Sequence, residues 1–241
     1  MVEGFDRVVV AVPNLAEAVE QYAALLGARP LLEPAPGGRR AWWDLGNTVL
    51  ELRQDTNGSP GWPDTARIEA VVLRSASASA ADTAIENPLG LQVFVCDGSA
   101  MASRLAQAAL PSPCSLRVDH LVLRTQDADA CIALFAVALG MRLALDKTVP
   151  EWGGRMLFFR TGKLTLEVIA PEEQAGREMP SDFWGIAYRH PDLGKLRADL
   201  AARSVAVSEL REGRKPGTRV ATVKSHALGI PTLLIEPPAR Q

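Results

Sequence analysis

One pattern restricts what this chain can fold into more than any other: the chain repeats itself. Leu25-Leu26-Gly27 returns as Ala138-Leu139-Gly140 at an offset of 113 residues. Gly37-Gly38-Arg39 through Gly46 to Glu51 returns as Gly153-Gly154-Arg155 through Gly162 to Glu167 at an offset of 116, three extra loop residues accounting for the change. The agreement takes in turn glycines, strand parity and the carboxylate near each strand's end, which marks a duplicated structural unit.

The unit reads as β-α-β-β-β. Residues 5 to 12 (FDRVVVAV) are β-branched and apolar, as a buried strand requires. Pro13-Asn14 breaks the strand, Asn14 supplies an N-cap, and Leu15, Val19, Tyr22, Leu25 and Leu26 recur at helical spacing until Gly27. Strands then follow over Pro30 to Glu33, Arg39 to Leu45 and Thr48 to Arg53, separated by turns at Pro36-Gly37-Gly38 and Gly46-Asn47. The grammar returns with a strand at 118–125, a helix at 127–139, a turn at Trp152-Gly153-Gly154, and strands at 155–161 and 164–169.

A third copy runs from Gly185-Ile186-Ala187-Tyr188-Arg189 through a helix at 192–202 to a strand at Ile230–Glu236, closed by Pro237-Pro238. A fourth, shrunken copy lies at Ala70–Asp97, where the small residues Ser75 to Ala81 replace the helix. Residues 99–109 have helical spacing, and Pro111-Ser112-Pro113 forces extended backbone. The expected fold is therefore α+β: four βαβββ units, the second eroded, paired into two modules. The modules cover 1–110 and 118–241, with a linker at 111–117.

With 241 residues and 47% hydrophobic content, the chain can fill a core in each module. A net charge of -2 leaves no basic surface for a phosphate backbone, which argues against nucleic acid as a partner. Cys96, Cys114 and Cys131 have no CxxC spacing and read as reduced thiols. The first residues show neither a signal peptide nor a membrane span, so the expectation is a cytoplasmic protein, a monomer or homodimer with no membrane partner.

This arrangement resembles the vicinal oxygen chelate superfamily, which includes glyoxalase I, methylmalonyl-CoA epimerase, extradiol dioxygenases and the bleomycin- and fosfomycin-resistance proteins. The resemblance implies that two units form a curved, half-open mixed sheet around a cleft in each module, and that up to four inward side chains from the first and last strands of each unit meet a divalent metal. Carried onto this chain, the C-terminal module offers His120, Glu167, Gly185 and Glu236, with glycine where many relatives have a second histidine. The N-terminal module offers Arg7, Glu51, Ala70 and Asp97. A guanidinium is no metal ligand, so this module is expected to be metal-free, with Arg7 in a bidentate ion pair with Glu51.

Two functional readings follow. In the first, His120, Glu167 and Glu236 hold Fe, Mn, Ni, Co or Zn, which binds adjacent substrate oxygens while Glu236, Glu167 or the loop residue His226 moves a proton. That reading describes a metal-dependent lyase, isomerase or extradiol-type dioxygenase with no organic cofactor. In the second, the carboxylates are structural, and the cleft binds or sequesters an aromatic or apolar small molecule without metal. Trp152, Arg155, Phe158, Trp184 and Tyr188 are the candidate substrate-binding residues in either case, and Arg214-Lys215 the candidate charges at the cleft mouth. The bland reading of the aromatics, and of Trp42 and Trp43 in the first unit, is strand–helix packing.

Overall fold

A computed structural model describes residues 1–35, 38–55, 64–108, 114–152, 154–171 and 179–238. The first unit opens with β1 (Gly4–Ala11), buried along its whole length. Helix α1 (Leu15–Leu26) starts where the Asn14 side chain accepts the Glu17 N–H and stops at Gly27, whose φ of 70° suits glycine. It presses Leu15, Ala18, Val19, Tyr22, Leu25 and Leu26 onto the sheet. Strands β2 (Leu31–Ala35), β3 (Gly38–Asp44) and β4 (Val49–Asp55) complete the unit.

The second unit has β5 (Arg67–Arg74), β6 (Thr83–Ala84) and β7 (Gln92–Cys96), with turns and bends instead of a helix over 75–82, followed by α2 (Ser99–Gln107). The third has β8 (Arg117–Arg124), α3 (Ala128–Cys131), β9 (Arg142–Val149), β10 (Gly154–Thr161) and β11 (Leu164–Ala170). The fourth has β12 (Asp182–Arg189), α4 (Leu193–Ala202), β13 (Arg211–Glu212), β14 (Arg219–Thr222) and β15 (Thr232–Glu236). Three details depart from the sequence expectation. Helix α3 widens into a π-helix over Ile132–Ala138, β9 fills a stretch to which no element was assigned, and β12 begins three residues before Gly185.

In every unit the first strand pairs in parallel with the last: β1 with β4, β5 with β7, β8 with β11 and β12 with β15. Units join within a module through antiparallel first strands, β1 with β5 and β8 with β12. The modules meet at one strand pair, Ile68 opposite Phe183, and share a single hydrophobic core in which α1, α3 and α4 are packed. Backbone contacts reinforce the junction: Thr161 Oγ1 donates to the Val2 carbonyl and Asn47 Nδ2 to that of Val118. The linker prolines Pro111 and Pro113 lie outside the described residues. No helix among the described residues is long and apolar enough to cross a membrane.

Candidate functional site

Strand register decides which side chains can meet. Adjacent strand partners share a sheet face, and parity alternates along each strand. His120 pairs with Thr165 on β11 and Ala187 on β12, and Ala187 pairs with Leu233 on β15. The next row on the same face is Glu167, Val122 and Gly185, with Phe158 opposite Glu167 on β10. Buried Met156 and half-buried Ile169 pair on that face one step further along. This is the cleft of the C-terminal module: an apolar wall with His120 and Glu167 side by side.

His120 Nδ1 lies 3.0 Å from Asp119 Oδ2 and 3.6 Å from Glu167 Oε1. Neighbours along a strand normally face opposite ways. Here β8 slips by one residue against β12, His120 opposing Ala187 and Val118 opposing Tyr188, so that Asp119 is an extra residue in a bulge beside its own neighbour. Burial, the largest single effect on the imidazole, favours its neutral form. The Asp119 hydrogen bond and the charges of Glu167 and Asp119 outweigh it and raise the pKa. Burial also raises that of Glu167, against the opposing charges of His120 and Arg214. Glu167 makes no hydrogen bond among the described residues, although its side chain is only 22% exposed.

The N-terminal module repeats the constellation with one change. Asp6, Arg7 and Glu51 occupy the positions of Asp119, His120 and Glu167, with a register slip at the same place in β1. Every guanidinium nitrogen of Arg7 is engaged: Nε donates to Glu51 Oε2 at 3.1 Å, Nη1 to Asp6 Oδ1 at 2.6 Å, and Nη2 to Asp82. Arg7 and Glu51 are paired, but through one nitrogen and not the two expected, because Asp6 and Asp82 take Nη1 and Nη2. Above it, α2 covers the cleft, packing Met101 and Leu105 against Trp42, Val49 and Leu31. Trp42 is buried beneath the guanidinium groups of Arg7, Arg40 and Arg104. Trp43 faces the helix side and donates its indole N–H to the Ala28 carbonyl. Ala70 is buried in this cleft, and Asp97 accepts the Ser99 N–H at the start of α2.

The structure separates several residues that the sequence reading grouped. Glu236 is three residues from Leu233 and so faces away from His120. There its carboxylate accepts the Leu193 N–H at the start of α4 and a two-pronged pair from Arg219. Arg155 pairs with Ala170 on the helix-bearing face, where Asp129 and Asp146 hold its guanidinium. Tyr188 is fully buried in the shared core beside Tyr22. It lies one residue beyond Ala187, which is on the cleft face, so strand alternation turns it to the opposite side. His226 sits in the β14–β15 loop, bonded to Ser225 Oγ, with no tie to His120 or Glu167 among the described residues. Phe158 and Trp184 remain at the cleft, Trp184 with its ring under the Arg124 guanidinium, which Asp182 holds. The Trp152 side chain lies outside the described residues.

Sequence comparison addresses the same region. Residues 119–222 match the profile of the Glyoxalase/Bleomycin resistance protein/Dioxygenase superfamily. The C-terminal module belongs to this superfamily. The fold agrees over the whole chain: a triple mutant of 4-hydroxymandelate synthase from Streptomyces coelicolor superposes with a TM-score of 0.74 at 13% identity, covering 100% of this chain and 94% of that one. A xylose isomerase-like TIM barrel/4-hydroxyphenylpyruvate dioxygenase fusion protein gives 0.68 at 12% identity, covering 100% of this chain and 50% of its own. These likenesses concern architecture. No curated protein sequence matches the chain.

The superfamily implies a small-molecule cleft, commonly with a divalent ion held by side chains from several strands. The cleft face here does not supply that set. His120 and Glu167 are adjacent, but the facing positions on β12 are Gly185 and Ala187, β15 presents Leu233 and Ile235, and Glu236 is engaged behind the sheet. No group of three potential metal-binding side chains converges among the described residues. Position 185 is closed to a ligand of any kind: a Cβ there would stand 2.9 Å from the Pro231 carbonyl oxygen.

Proposed function

We propose that this protein binds a small molecule in the cleft of its C-terminal module without a resident three-ligand metal ion. The polar end of the ligand lies at His120 and Glu167, and its apolar body along Phe158, Ile169 and Trp184. The observation that carries the reading is Glu167, a largely buried carboxylate with no hydrogen bond among the described residues, while its counterpart Glu51 is bonded and covered. A half-desolvated acceptor beside an imidazole in an apolar cleft suits recognition of a donor-bearing ligand.

A second reading, a glyoxalase- or dioxygenase-type reaction on adjacent oxygens at a divalent ion, draws support from the superfamily and from the 3.6 Å approach of His120 and Glu167. One experiment separates the two. Protein purified without chelator or histidine tag is assayed for bound metal, then titrated with catechols and other aromatic compounds while tryptophan fluorescence is followed, with and without chelator. The proposal expects well under one ion per chain and binding that persists in chelator but weakens at least tenfold in Glu167→Gln. One ion per chain, lost in His120→Ala together with binding, would establish the second reading instead.

A further inference from the structure

We infer that Asp119 is a positioning residue that holds the His120 ring with its proton on Nδ1, leaving Nε2 as a metal-independent proton acceptor toward whatever occupies the C-terminal cleft. The argument starts from what a carboxylate can do. An ionised Asp accepts hydrogen bonds and donates none, so the 3.0 Å contact between Asp119 Oδ2 and His120 Nδ1 requires the hydrogen to be on Nδ1. In the neutral ring the lone pair is then on Nε2, which has no hydrogen-bond partner among the described residues.

The duplicated unit shows that this geometry is built in. Both first strands slip by one residue at the acidic–basic dipeptide, Asp6-Arg7 in β1 and Asp119-His120 in β8. In the first copy all three guanidinium nitrogens of Arg7 are consumed by acids. In the second, Nδ1 is engaged and Nε2 has no hydrogen-bond partner among the described residues. The same bulge thus yields a closed ion cluster in one module and, in the other, a histidine fixed at one end and available at the other.

When the lone pair on Nε2 takes a proton from a bound molecule, the electrons of the broken bond stay on that molecule. The resulting imidazolium lies against Asp119 and faces Glu167 across 3.6 Å, two charges that favour it until the proton is returned. No oxidant, reductant or metal enters the step.

The inference rests on the proposed cleft for its ligand but can be tested without one. Nitrogen-15 NMR of histidine-labelled full-length protein, with His120 assigned by His120→Gln, reads the tautomer of the neutral ring. The expected result is a preference for Nδ1–H of about tenfold or more. Asp119→Glu retains it, and Asp119→Asn reverses it, because the amide N–H donates to Nδ1; thermal melts of the variants check that the fold persists. An Nε2–H ring in the wild type, or a tautomer indifferent to Asp119→Asn, would overturn the inference. Ligand titration is scored separately: Nδ1–H with no ligand bound would sink the proposed function alone, and chelator-resistant binding with Nε2–H the positioning role alone.

Discussion

At the scale of single residues, Gly185 shows how a position can be misread as a gap. Sequence reading treats it as a lost histidine. The structure shows a residue whose missing side chain lets the Pro231 carbonyl approach and accept the Ile186 N–H at 3.0 Å. Gly185→His is therefore expected to destabilise the protein by about 1–3 kcal/mol through overpacking against backbone, and to gain no metal affinity. Urea denaturation together with metal titration checks both, and a variant as stable as wild type that binds one ion would refute this account. The carboxylates were legible as strand-end acids, but their faces were not. Glu167 and Glu236 look alike in sequence, and only the pairing of Ala187 with Leu233 puts them on opposite sides. Asp119 was missed because strict alternation sends it away from His120. The signal that could have found it is the repeat itself, since Asp6-Arg7 returns as Asp119-His120 at the 113-residue offset.

Among the elements, α2 is the one that covers the N-terminal cleft. Met101 is its one buried residue, and its N-terminus at Gly98 has no side-chain cap. Its hold comes from Met101 and Leu105 on Trp42, together with a partly exposed Arg104–Glu33 pair of 3.2 Å that contributes little. Met101→Ala should cost about 2–3 kcal/mol and loosen the cover over Trp42. Quenching of tryptophan fluorescence by acrylamide should rise in that variant, and unchanged quenching would show that the helix is not what shields the indole. The strands, turns and helices of each unit follow the residue pattern closely because glycine turns and apolar periodicity are local. The π-helix at Ile132–Ala138 is not local in this sense. It has as many residues between cap and terminal glycine as α1, yet docks against the Met1–Val2 segment, where Val2 N–H donates to the Leu139 carbonyl.

For the molecule as a whole, the modules are distinct in sequence but not in packing. Tyr22 on α1 and Tyr188 on β12 bury against each other, and one apolar cluster runs through all four units. Such a core predicts a single cooperative unfolding transition, with far-ultraviolet circular dichroism and tryptophan fluorescence coinciding along a denaturant series. Two separated transitions would show instead that each module is stable on its own. The repeat made the four-unit plan readable from sequence, but not this sharing, because each amphipathic face reads the same whether its partner lies within a module or across the junction.

The shared bulge in β1 and β8 also bears on how a duplicated fold divides its labour. In the first copy Arg7 joins Asp6, Glu51 and Asp82 into one ion cluster. The second copy keeps the same backbone slip at its own local cost, with histidine in place of arginine, and Glu167 is left without a hydrogen bond among the described residues. Redundancy of this kind lets one half of a chain remain underdetermined, and therefore adaptable to new ligands, while the other half acts as its ballast.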